Sequence, residues 1–84
     1  MSLSTERGLF YGRKAGMDTL CSYTVGGLIE YVGYGKAGLT TAARGWIIQK
    51  ISYDISDNIT SVRYANGNSS EEHVWDDRAG YTYI

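Results

Sequence analysis

Proline is missing altogether from the 84 residues, and cysteine, histidine and phenylalanine occur once each. A lone Cys21 excludes any intramolecular disulfide and reads as a small apolar thiol for a core. One imidazole and one thiol also complete no recognised zinc spacing. Charge of neither sign dominates: eight Lys and Arg stand against nine Asp and Glu, for a net charge of −1. No long-range basic field exists to draw in a phosphate backbone or an anionic leaflet, so neither nucleic acid nor membrane is an expected partner. The opening "MSLSTERGLF" has no basic start and no apolar run of signal-peptide length, and no stretch of about 18 apolar residues follows. The expectation is a soluble, unsecreted chain without cofactor. A chain of this length makes one domain, 1–84, and buries only about 60–65% of the surface its unfolded form exposes. The first two or three residues are set aside as an expression remnant.

What is abundant is glycine, at eleven, and tyrosine, at eight. A chain that turns often and packs aromatic side chains has β composition. The clearest unit is "GWIIQKISYDISDNITSVRYANGN": a run from Trp46 to Tyr53, a polar break, a second run from Ile59 to Ala65, then a turn at Asn66-Gly67. Asn58 and Asn66-Gly67 accept the positive φ of tight turns, which makes this a hairpin followed by another turn. Thr60, Val62 and Tyr64 alternate with Ser61 and Arg63, as in a half-buried strand. In the first run Trp46 and Ile48 oppose Ile47, Ile51 and Tyr53, so either both faces are covered or a bulge shifts the register. A helix over "TTAARGWIIQKI" is disfavoured by Gly45 and by the adjacent β-branched Ile47 and Ile48. Upstream, Leu28 to Tyr34 reads as a strand entered through Gly26-Gly27 from a partner at Leu20 to Val25, and Leu9 to Tyr11 as another short strand. The loop "GKAGLTTAARG" is the place to look for mobility or a partner contact. No repeat at solenoid spacing and no linker is evident. The fold class is mainly β: a small antiparallel barrel or sandwich of about five to seven strands, with one short helix near 70–78.

"SEEHVWDDRAGYTY" gathers the histidine, one of two tryptophans, four carboxylates, an arginine and two tyrosines. Ser69 with Glu72 forms a capping-box pattern, Glu71 and Glu72 suit a first helical turn, and Gly80 suits its end, so a helix from Ser70 to about Arg78 follows. Val74, Trp75 and Ala79 form its apolar stripe, and Tyr81 and Tyr83 belong to a closing strand. The sharper reading is a metal or acid–base site built from Glu71, Glu72, His73, Asp76 and Asp77. Only His73 and Asp77 share a helix face at i, i+4, and acid–base work by paired carboxylates requires burial where the helix position predicts exposure. No sequence context supports Cys21 with His73 as nucleophile and base. The cluster reads as closure, with Trp75 as a plug and Asp76, Asp77 and Arg78 pinning the terminal turn.

The span from "YVGYGKAG" through "GWIIQKISYDISDNITSVRYANGN" to "VWDDRAGYTY" resembles a short module of tailed bacteriophages, particularly marine and environmental phage sequence. "VWDDRA" and "YANGN" are its specific parts, with Glu72-His73 standing where an aromatic and an acid or amide are usual. The resemblance implies a virion-associated or fibre-linked structural component, not an enzyme. It would reside in the virion, or in host cytoplasm before assembly, with other virion proteins as partners.

Two functions follow for such a chain. The first is a self-associating structural subunit, a homo-oligomer with Tyr31 or Tyr34 at a contact made by the "LIEYVGY" strand or the N-terminal strand. The second is a glycan- or peptide-binding module whose exposed platform is Tyr31, Tyr34, Trp46 or Tyr64.

Overall fold

The computed structural model describes residues 16–84, and the strand expected at Leu9 to Tyr11 lies outside them. Five antiparallel strands form one open sheet. They are β1 (Met17–Tyr23), β2 (Ile29–Lys36), β3 (Arg44–Tyr53), β4 (Ile59–Tyr64) and the short β5 (His73–Val74). A 3-10 helix, Trp75–Gly80, follows β5. The mainly β expectation holds, as a sheet that does not close into a barrel. β1 to β4 lie in chain order, and β5 pairs with the first residues of β3.

The two long hairpins are built alike, thirty residues apart. In the first, the Thr24 N–H donates to the Leu28 carbonyl at 2.7 Å and the Gly27 N–H to the Thr24 carbonyl at 3.0 Å. In the second, Asp54 N–H donates to Asn58 at 2.9 Å and Asp57 N–H to Asp54 at 3.0 Å. A side-chain oxygen at the first position of each turn accepts the N–H of the fifth: Thr24 Oγ1 from Leu28 at 3.2 Å, Asp54 Oδ1 from Asn58 at 2.9 Å. The fourth residue is left-handed in both, Gly27 at φ 90° and Asp57 at φ 64°, which lets the turn match the twist of its strands. A bulge precedes each turn, at Ser22/Tyr23 and at Ser52/Tyr53. The backbone donors held by Asp54 keep its carboxyl below the usual acidic range.

The sheet has two unlike faces. Pairing of Gly33 with Leu20 and Ile48, and of Lys50 with Tyr31 and Arg63, puts Leu20, Tyr31, Gly33, Gly35, Trp46, Ile48, Lys50, Ser52, Ser61 and Arg63 on one face. The other carries Thr19, Cys21, Val32, Tyr34, Ile47, Gln49, Ile51, Val62 and Tyr64. The untidy parity of β3 comes from apolar residues on each face, with a bulge at Ser52/Tyr53 that shifts Tyr53.

The C-terminal segment folds back over the first face and makes the core. Trp46, at 1% exposure, and Trp75, at 6%, lie at a tilted 6.3 Å with Tyr31, Ile48 and Ala65 around them. Leu39, Tyr81 and Tyr83 pack at the rim. The "GKAGLTTAARG" loop, expected to be loose, is tied to this core. The Trp46 indole N–H donates to the Thr40 carbonyl at 3.0 Å, and the Asp76 N–H to that of Thr41 at 3.1 Å.

His73 is the buried polar member of the core, at 2% exposure. Its ring meets Tyr81 edge-on at 4.9 Å, and both ring nitrogens are buried without a hydrogen-bond partner. Unsatisfied buried nitrogens cost stability that an apolar ring does not, so His73→Phe, which keeps the aromatic edge, should raise the unfolding free energy by about 1 kcal/mol. A urea midpoint shifted downward would show that the imidazole has a partner the apolar ring lacks.

Candidate functional site

The closing stretch is not the helix that its capping box suggests. The Asn68 side chain takes up the local groups instead, accepting the Ser70 N–H at 3.0 Å and reaching Glu72 at 3.4 Å. His73 and Val74 then join β3 as a strand, pairing with Trp46 and Arg44, and helical turns start only at Trp75. Sheet pairing of a buried residue outweighs a cap on an exposed turn.

Of the four residues expected to close the fold, Trp75, Asp76 and Arg78 make the contacts that tie the terminal turn. Trp75 plugs the core above Gly33. Arg78 stacks 4.7 Å from the Trp75 ring and donates to the Trp75 carbonyl at 3.2 Å. Asp76 accepts the Thr41 hydroxyl at 3.3 Å, and Asp77 is exposed. Tyrosine hydroxyls complete the closure: Tyr83 donates to the Arg78 carbonyl at 2.6 Å, and Tyr81 accepts the Val74 N–H at 2.8 Å. Burial beside Tyr31 and Tyr81 pushes the Tyr83 phenol well above its ordinary value, so it stays a protonated donor.

The metal or acid–base alternative has no geometry behind it. His73 is inside, while Glu71, Glu72, Asp76 and Asp77 are exposed. Among the described residues no group of three or more His, Cys, Asp and Glu is placed to hold a metal ion. Cys21 is half-buried, and burial raises its thiol, which lowers the thiolate available for attack.

The proposed aromatic platform needs correction. Trp46 and Tyr31 are core residues, 1% and 8% exposed, and β2, which carries Tyr31, is paired on both edges by β1 and β3. Neither a stacking surface nor an edge contact is open to them. Tyr34 and Tyr64 are half-buried on the opposite face, where the Tyr34 hydroxyl is raised by burial and by its neighbours Cys21 and Tyr64.

A basin that the sequence reading did not identify opens where the C-terminal cover ends. Lys50, Ser52, Ser61, Arg63, Tyr81 and Tyr83 line a hollow of about 340 Å³, at the lower end of small-ligand pockets. Its floor is two cross-strand pairs, Lys50 opposite Arg63 and Ser52 opposite Ser61, and its wall is the two tyrosines. None of the lining residues is acidic. Asp76 and Asp77 open instead onto a separate hollow with Ala79, Gly80 and Tyr81. The signal was present in the hairpin: once Asp54 to Asn58 is the turn, β3 and β4 bring Lys50 and Arg63 face to face.

In comparisons with protein families, curated proteins and solved structures, nothing matches this chain. Among the described residues no helix is long and apolar enough to cross a membrane.

Proposed function

We propose that the chain is a non-enzymatic structural module that self-associates through the second face of its sheet, and that its setting is the virion or fibre of a tailed phage. The observation that carries self-association is that face. Val32 is buried at its centre, Cys21, Tyr34, Ile47, Ile51 and Tyr64 are half-buried around it, and Val62 is 48% exposed. Among the described residues, the C-terminal segment covers the other face and no element packs on this one. A sheet with two apolar faces calls for a second layer, and a copy of the same face is self-complementary under a two-fold axis. The phage setting rests on the resemblance of "YANGN" and "VWDDRA" alone. The non-enzymatic part is supported by the buried, unpartnered His73 and the raised Cys21 thiol, which give no nucleophile–base pair.

Light scattering at about 100 μM, well above the Kd range of specific complexes, should give a mass above that of one chain. Val62→Lys, at an exposed position, should raise the dissociation constant about tenfold or more, because the new ammonium would be buried unpaired. A monomer at that concentration defeats the reading. Unchanged association in the folded variant moves the interface elsewhere.

A further inference from the structure

We infer that the basin between β3, β4 and the terminal tyrosines is a binding site for a tetrahedral oxyanion, the phosphate or sulfate group of a small ligand. It is independent of the self-associating face, which lies on the opposite side of the sheet.

The first support is the cross-strand pair itself. Lys50 and Arg63 are directly opposed in register and point to the same face, an arrangement of like charges that destabilises a sheet when left uncompensated. No carboxylate lines the basin to relieve it, although the chain carries more acid than base. A third cation stands behind: Lys50 Nζ lies 5.8 Å and the Arg78 guanidinium 6.0 Å from the Tyr31 ring centre. Three cations thus gather around this basin and the ring behind it, in a chain whose net charge is −1.

The second support is the kind of donor present. A guanidinium offers a planar fork to two oxygens of one phosphate or sulfate, and an ammonium offers a point charge to a third. The opposed hydroxyls of Ser52 and Ser61 add neutral donors one step along the same strands. The Tyr81 hydroxyl is held at the Val74 N–H, so Tyr81 adds ring surface to the wall rather than a donor. Tyr83 has spent its hydroxyl on the Arg78 carbonyl, so it contributes a ring wall, suited to the flat side of a sugar or base attached to the anion. About 340 Å³ exceeds what a bare oxyanion needs and admits a monoester.

The test is a titration of the full chain with inorganic phosphate and with sulfate at constant ionic strength, chloride serving as control, read by amide chemical shifts. Constant ionic strength removes the generic screening that any salt would produce. Saturable shifts centred on Lys50, Ser52, Ser61 and Arg63, with a Kd of about 1 mM or tighter, support the site. Shifts that grow linearly and equally with chloride overturn it. Lys50→Gln and Arg63→Gln should each abolish saturation. Each should also raise the thermal midpoint in the absence of oxyanion, since each removes the repulsion. Saturation that survives both substitutions places the anion elsewhere and overturns the assignment. Glucose 6-phosphate binding more tightly than phosphate identifies an ester as the natural occupant; equal binding identifies the free ion, and either supports the oxyanion site. Because the probes are small ions, failure here leaves the mass measured by light scattering untouched, and a monomeric chain leaves this titration untouched.

Discussion

Trp75→Ala should lower the unfolding free energy by about 3–5 kcal/mol, the usual cost of emptying a buried tryptophan site. A domain of 84 residues has about 4–13 kcal/mol in all, so the variant stands at or beyond the edge of folding. The size of the effect follows from where the ring sits. One face lies on the backbone of Gly33, so closely that a Cβ there would come within 2.5 Å of the indole. The other edge meets Trp46, and the Arg78 guanidinium caps the ring at 4.7 Å. None of these neighbours is able to collapse into the space: Gly33 has no side chain, and Trp46 is held through its indole N–H to Thr40. Loss of Trp75 also unseats the turn that carries the Arg78 carbonyl, and with it the Tyr83 hydroxyl. A urea titration followed by near-ultraviolet circular dichroism reads the change. A midpoint within error of the parent would put Trp75 on the surface and remove the closure role.

The hairpins were legible in the sequence because their causes are local. Alternation along Ile59 to Tyr64 and the turn residues at its two ends specify strands and pairing with little help from the rest of the chain. The left-handed residue of the turn is nonetheless Asp57 and not the expected Asn58, and Thr60 and Val62 of the expected half-buried face are exposed. The identity of construction between "YTVGGLI" and "YDISDNI" was harder to see. Only Tyr and the final Ile recur unchanged, while Thr24 and Asp54 do the same work with different oxygen atoms. The start of the last helix was misplaced for the opposite reason. Ser69 and Glu72 carry a valid local signal, but the competing partner of His73, the first part of β3, lies far away in sequence. Trp46 and Tyr31 are candidates for a platform or a subunit contact in the sequence because a chain this short has room for few aromatic rings inside. The two glycines of β2 changed that count. By presenting bare backbone to the indoles they let both tryptophans approach the sheet closely, and surplus aromatic surface became core. The basin is a tertiary product in a stricter sense. Its floor was implicit in the hairpin register, but its tyrosine wall depends on where the C-terminal segment crosses the sheet.

Gly35→Val should cost about 2–3 kcal/mol or more, as overpacking of a filled core does. A Cβ at Gly35 would stand 2.7 Å from Trp46 Cε3, 2.9 Å from Cζ3 and 3.0 Å from Cδ2. These are rigid ring atoms of the most enclosed aromatic side chain, not the free end of a flexible one. Trp46 has nowhere to retreat, because its N–H is fixed on Thr40 and Trp75 stands 6.3 Å away across the core. Valine would be favoured here on strand propensity alone, so the substitution sets local preference against packing. Gly35→Ala adds the same Cβ with less bulk and should fall between valine and the parent. Ordering of the three proteins by thermal midpoint, parent above alanine above valine, is the expected outcome. A valine variant more stable than the parent would mean that β2 gains more from propensity than the indole loses, and that the close approach of sheet and tryptophan is not what holds the C-terminal segment in place.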